Sequence, residues 1–173
     1  MKKEEMIYMS FKLMGLCLIF ISGILAAFAV KKKYEQRLKI LLEFSRDFEY
    51  YINSVSYKKM TAPEITENLL KDKQGIARSF YEKILGYLKN GGDYSGDFIN
   101  KDMEIEKEDA SVLTEFFLSL GKSDYENQLK EMEFLKKRLD DCIKQANEVK
   151  EKKQKTDTAL VMSLFLTLII FLV

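Results

Sequence analysis

Two long apolar runs lie towards the ends of the chain, and between them apolar and polar residues alternate with a helical period. Leu13 to Val30 reads LMGLCLIFISGILAAFAV and carries no charge. As a helix it reaches roughly 27 Å, close to the hydrocarbon thickness of a bilayer. Ala27-Phe28-Ala29 imitates a small-x-small cleavage pattern, so a cleavable signal is the rival reading. The run is longer than a signal core, and Lys31-Lys32-Lys33 follows at once, which favours a retained anchor. The second run, Ala159 to Val173, is short for a full span. Extension back to Thr156 or local thinning of the bilayer compensates. The rival is an amphipathic helix in a soluble core. Residues 164–173 are apolar on every face except at Thr167, which suits lipid better.

The middle of the chain shows no sustained strand alternation. Tyr34, Leu38, Leu41, Phe48, Ile52 and Val55 form a seven-residue stripe, interrupted at Ser45, on a helix of roughly 40 Å that leaves the first span directly. Thr61 and Glu64 predict a capping box that restarts a short helix, with Pro63 in its tolerant first turn. Gly75 breaks that helix. The next runs from Ile76 to Lys89 with Phe80, Ile84, Tyr87 and Leu88 inward, and Asn90-Gly91-Gly92 stops it. Residues 93–104 read poorly, with a short helix expected at Asp97 to Met103. Asp109 to Leu120 predicts a strong helix whose inward face is Val112, Leu113, Phe116, Phe117 and Leu120. In the last helix Tyr125, Met132, Leu135, Leu139, Cys142, Ala146 and Val149 follow a 3-4 spacing, with Gln128 on the seam, over roughly 50 Å.

Helices 34–57 and 123–155 root in one membrane face, so they run out and back. The fold class is therefore all-α: a helical bundle whose two long antiparallel helices continue into N- and C-terminal transmembrane helices. The expected organisation is a tail over 1–12, an anchor over 13–30, a cytoplasmic bundle over 31–157 and a terminal transmembrane segment over 158–173. Residues 1–8 read as dispensable, with Met9 an alternative start. The long stripes read as intramolecular core; a homodimeric coiled coil using the same seams is the rival.

Charge decides orientation. Lys31, Lys32, Lys33, Arg37 and Lys39 follow the first span, and Lys150, Lys152, Lys153 and Lys155 precede the second. The positive-inside rule then puts the bundle in the cytoplasm, and the same lysines suit anionic membrane lipid. The formal net charge of +1 leaves no nucleic-acid-sized attraction. The chain has no histidine, which removes Ser-His-Asp and Cys-His catalysis. Cys17 and Cys142 read as buried thiols rather than a disulfide framework. The acidic residues Asp93, Asp97, Asp102, Glu104, Glu106, Glu108 and Asp109 offer oxygen ligands, but no regular ligand loop appears among them and Gly96 lacks EF-hand spacing. No catalytic, cofactor or metal residues are assigned, and the chain does not read as an enzyme.

The most informative stretch is FFLSLGKSDYENQ, residues 116–128. Gly121 is expected to end one helix in the left-handed conformation, Ser123 to cap the next, and Glu126 to complete a capping box. Asp124 suits the positive end of the helix dipole. Gly121, Lys122, Ser123, Asp124 and Gln128 are the candidate partner-docking corner; Gln128 equally suits a backbone group inside the bundle.

The order of anchor, basic flank, helices, Leu120-Gly121-x-Ser123-Asp124-x-x-x-Gln128, long helix and terminal anchor resembles the stage III sporulation protein AB family. Weaker echoes are Lys12, Leu13 and Gly15 and the run Phe48 to Ile52. The family usually carries glycine in its last span and a tryptophan in its middle helices, and this chain has neither. The resemblance implies a small relative of the type II secretion F-type domain. It implies membership of the secretion-like channel complex between mother cell and forespore, a place in the mother-cell membrane, and docking of the complex's ATPase, stage III sporulation protein AA, beside other channel membrane proteins. The competing function is a membrane-anchored helical scaffold that only self-associates.

Overall fold

The computed structural model describes residues 2–90, 103, 105–122 and 124–172. Five helices occur among them: α1 (Lys2–Lys58), α2 (Ala62–Asp72), α3 (Gly75–Asn90), α4 (Lys107–Ser119) and α5 (Tyr125–Leu172). No strand occurs among the described residues. The helix expected at Asp97 to Met103 lies outside them apart from Met103, which is a buried bend. The chain divides into two compact units, residues 36–146 and the pair of segments 1–35 and 147–173.

The first unit is a closed bundle with an aromatic centre. Phe44, Phe48 and Tyr51 of α1, Phe80 and Tyr81 of α3, and Phe116 and Phe117 of α4 are all buried. Phe117 stands at the middle, edge-on to Phe80 at 5.1 Å and Tyr81 at 5.7 Å, while Phe48 stacks on Phe116. Such pairs add about 0.5–1.5 kcal/mol each beyond simple burial. Met132, Leu135, Leu139, Cys142 and Ala146 of α5 close the core, and all five lie on the predicted seam. The α1 stripe is wider than predicted: Phe44 and Tyr51 are buried with Leu41, Phe48 and Val55, whereas Ile52 is only half-buried. A helix covered by several neighbours buries a broad face, not the narrow seam of a two-stranded coil. These stripes are covered within one chain, so they offer no free seam for a coiled-coil dimer.

Local chemistry sets the helix ends. The Thr61 N–H and hydroxyl donate to Glu64 at 2.8 and 2.9 Å, forming the predicted cap of α2. Helix α4 starts at Lys107, before the predicted Asp109, because Glu106 takes the N-cap place and its N–H donates to the Asp109 carboxylate at 3.1 Å. Asp109 also receives two bonds from Arg37, at 2.8 and 2.9 Å, and is fully buried. Arg37 reaches Glu106 as well. Arg37, read from sequence as part of the membrane-proximal flank, is therefore a core group, and Glu106 and Asp109 are engaged by it instead of standing free for a cation. Burial alone would lower the Arg37 pKa, but the hydrogen bond and charge of Asp109 outweigh it and leave it raised.

A second buried polar cluster ties the α2–α3 junction to α1. Lys73 donates to Asp47 at 2.7 and 3.0 Å and to Glu43 at 2.7 Å, and the Tyr81 hydroxyl donates to Asp47 at 2.6 Å. Burial tends to lower the Lys73 pKa, but the bonds to Asp47 and Glu43 prevail and raise it. The Lys73 ammonium thus stays charged. Burial raises the Asp47 carboxyl above its ordinary value by more than the bonds from Lys73 and Tyr81 lower it.

In the second unit the apolar stretches of α1 and α5 lie side by side. A Cβ added at Gly23 would come within 2.8 Å of the Phe165 ring, so the helices meet closely there. Tyr34 donates to Asp157 at 2.5 Å. Residue 23 opposite 165 and residue 34 opposite 157 make the pair antiparallel, as expected. Both helices are long and apolar enough to cross a membrane, and their most apolar windows are almost wholly unburied. A soluble-core helix would bury that surface, so the chain is membrane-associated. The expectation of a buried Cys17 fails for the same reason: it is exposed on the α1 surface, whereas Cys142 is buried.

Candidate functional site

The predicted corner shares a cleft with two other stretches of the chain, 55–63 and 87–88. Gly121 has φ +76, the left-handed conformation its position required. The Lys122 N–H donates to the Ser119 carbonyl at 3.3 Å, tying off the end of α4. Helix α5 starts one residue later than predicted. Asp124 holds the N-cap place, its carbonyl accepting from the Gln128 N–H at 2.9 Å and its carboxylate from the Asn127 amide at 2.5 Å. Aspartate caps as well as serine does. Ser123 lies outside the described residues.

Gly121, Lys122 and Gln128 line a cleft of about 510 Å³, and Asp124 does not line it. The rest of the lining includes Lys59 and Met60 of the turn between α1 and α2, Pro63 in the first turn of α2, and Tyr87 and Leu88 of α3. Tyr87 and Leu88, expected inward, are half-buried: Leu88 packs against the edge of the core as expected, and both also line this cleft. Lys59 has φ 52, an uncommon conformation for a side-chain-bearing residue. Its ammonium stands 5.2 Å from the centre of the Tyr125 ring, and the Tyr125 hydroxyl donates to the Ser56 carbonyl at 3.0 Å. Tyr125, predicted on the buried seam, is therefore an exposed strut between the start of α5 and the end of α1. Gln128 is half-buried at the cleft.

Two lysines and no carboxylate line the cleft among the described residues, and its floor is apolar at Val55, Ala62 and Leu120. That combination fits an acidic or polar-acceptor segment with an apolar anchor. Sequence reasoning found the α4–α5 half of this cleft from turn chemistry. It missed Lys59, Met60 and Pro63, because nothing local to them says which corner they oppose.

The sequence pattern of the stage III sporulation protein AB family matches residues 12–173. The chain belongs to that family. Among solved structures it is similar to one titled Stage III sporulation protein AB (SpoIIIAB), with TM-score 0.57 and 15% identity, covering 67% of this chain and 97% of that one. At that identity the likeness speaks for the fold. No curated protein sequence matches the chain. As a stage III sporulation AB member, it is a sporulation protein of a family not known for enzymatic activity.

Proposed function

We propose that this stage III sporulation AB protein is a docking component of the secretion-like channel complex between mother cell and forespore. Its terminal helices anchor it in the mother-cell membrane with the bundle in the cytoplasm, and its cleft holds the complex's ATPase, stage III sporulation protein AA. The observation that carries this reading is the cleft around Gly121, Lys122 and Gln128, cationic at Lys59 and Lys122, apolar at its floor and open to solvent. Orientation rests on the lysines after the first span and before the second. The relation to the type II secretion F-type domain that the family resemblance implies belongs to the same reading.

The test is co-expression of the full-length chain with the ATPase, extraction in mild detergent and capture through the chain. The ATPase is expected to be retained, and a Lys59→Glu, Lys122→Glu double substitution is expected to release it at unchanged helical content. Failure of the wild-type chain to retain the ATPase removes the docking role. Digestion of the bundle by protease added to intact cells removes the orientation.

A further inference from the structure

The paired helices of the second unit carry a groove of about 620 Å³ that no step of the docking argument uses. Its walls are Ile24, Ala27 and Phe28 of α1 and Ala159 and Met162 of α5. Lys31, Gln154, Lys155 and Thr158 complete the lining. The helices are antiparallel, so these polar residues gather at one end and Ile24 and Met162 at the other. From Ile24 to Lys31 the groove runs about 10 Å along the helix, roughly two-thirds of one leaflet's hydrocarbon.

We propose that this groove is a binding site for one anionic phospholipid, with an acyl chain along Ile24, Ala27, Phe28 and Met162 and the headgroup phosphate between Lys31 and Lys155. The reading rests on the membrane placement of the terminal helices given above. In a bilayer an apolar groove between two spans is filled by hydrocarbon, and the chemistry at its polar end then selects the lipid. That end is cationic. Residues 31–35 and 150–157 hold seven lysines against three carboxylates, Glu35, Glu151 and Asp157. Asp157 is taken by the Tyr34 hydroxyl. Glu35 lies 3.8 Å from Lys31 with both side chains about half exposed, a pairing too loose to cancel the ammonium. Gln154 and Thr158 supply uncharged donors beside the two lysines.

The experiment uses the full-length protein in detergent, supplied with phosphatidylglycerol or phosphatidylcholine of identical chains, and counts retained lipid by native mass spectrometry. Phosphatidylglycerol is expected to be retained preferentially at one per chain, and inorganic phosphate at equal concentration is expected not to displace it. Each lysine near a membrane surface contributes about 1 kcal/mol towards an anionic headgroup. Lys31→Gln with Lys155→Gln should therefore cut the preference about 30-fold. Lys32→Gln with Lys33→Gln removes the same charge outside the groove and should leave the preference nearly intact. Ala27→Trp fills the groove and should abolish retention of both lipids at unchanged helical content. Equal retention of the two lipids, an equal fall in both lysine pairs, or retention in Ala27→Trp overturns the site. Carbonate extraction tests membrane placement separately. A protein that resists carbonate yet shows no lipid preference refutes the groove alone.

Discussion

Asp109→Ala tests the polar core most directly. The wild-type carboxylate is fully buried, receives two bonds from Arg37 at 2.8 and 2.9 Å, and accepts the Glu106 N–H that starts α4. Removing it strands a guanidinium that is itself 7% exposed, with only the more exposed Glu106 left as partner. Breaking a buried pair from one side costs about 3–5 kcal/mol, and losing the cap acceptor adds about 1 kcal/mol. The total, about 4–6 kcal/mol, is a large share of a typical domain's stability. Asp109→Asn keeps the shape and a cap acceptor, so it should cost less than Asp109→Ala. Arg37→Met with Asp109→Leu leaves no buried charge at this site and should recover to within about 1–2 kcal/mol of wild type, far less than the two single changes predict. Urea unfolding of residues 31–157 followed by far-UV circular dichroism reads these variants together with the single changes Arg37→Met and Asp109→Leu. A loss below about 1 kcal/mol for Asp109→Ala, or a double variant as unstable as the sum of the singles, refutes the assignment of Arg37 and Asp109 as a coupled buried pair.

Three further outcomes follow from the same geometry. Gly121→Ala should cost about 1–2 kcal/mol purely through backbone strain at φ +76, because an added Cβ meets nothing within 4 Å; a urea midpoint equal to wild type speaks against that conformation. Ser54→Ala should be neutral or stabilising by about 1 kcal/mol, since the Ser54 hydroxyl is buried without a hydrogen-bond partner, and a clear loss in the same assay counts against it. Burial first, then the charges of Asp109 and Glu108, push the Cys142 thiol from an ordinary 9.0 up to about 11, and burial also raises Tyr51 and Tyr81 above the usual phenol range. These groups hold their protons more tightly folded than unfolded, so the Cys142 contribution is complete below pH 9 and is lost as pH rises through 11, while that of the tyrosines starts to be lost only above pH 10 and persists beyond the thiol's window. Cys142→Ala should flatten the first part of that decline, and an unchanged pH profile for it contradicts the buried-thiol account.

What the sequence displayed was whatever is decided locally. The α2 cap needed only Thr61 and Glu64 three residues apart. The left-handed Gly121 needed only the end of one apolar period and the start of another. The α5 seam was visible because Met132, Leu135, Leu139, Cys142 and Ala146 face one neighbourhood throughout. Phe44 and Tyr51 were missed because a seven-residue template was laid on a helix buried over a wider arc. Arg37 was misread because its partner lies 72 residues away, and in local sequence a lysine-rich flank looks the same whether or not one arginine turns inward. Lys59 gave no warning of its positive φ, since that conformation is set by where α2 must start once Thr61 and Pro63 fix its entry.

The two buried clusters explain why the cleft has one shape. An aromatic core built from edge-on rings tolerates sliding: Phe117 alone meets Phe44, Phe48, Tyr51, Phe80, Tyr81 and Phe116, and a shifted helix would find other ring edges of similar worth. Buried charges do not tolerate it, because a displaced partner leaves an unsatisfied ion whose cost exceeds any single ring contact. Arg37 with Asp109 fixes α4 along α1, and Lys73 with Asp47 and Glu43 fixes the α2–α3 junction along the same helix. Once α1 is the common ruler, the end of α4 at Gly121 and the start of α2 at Thr61 have one permitted separation. That separation sets the width of the cleft between Lys122 and Lys59. Replacing either cluster with apolar residues should therefore leave stability near wild type but loosen the cleft. Faster amide exchange at Met60 and Lys122, with a urea midpoint close to wild type, is the expected signature; unchanged exchange at both would mean that the rings alone hold the register.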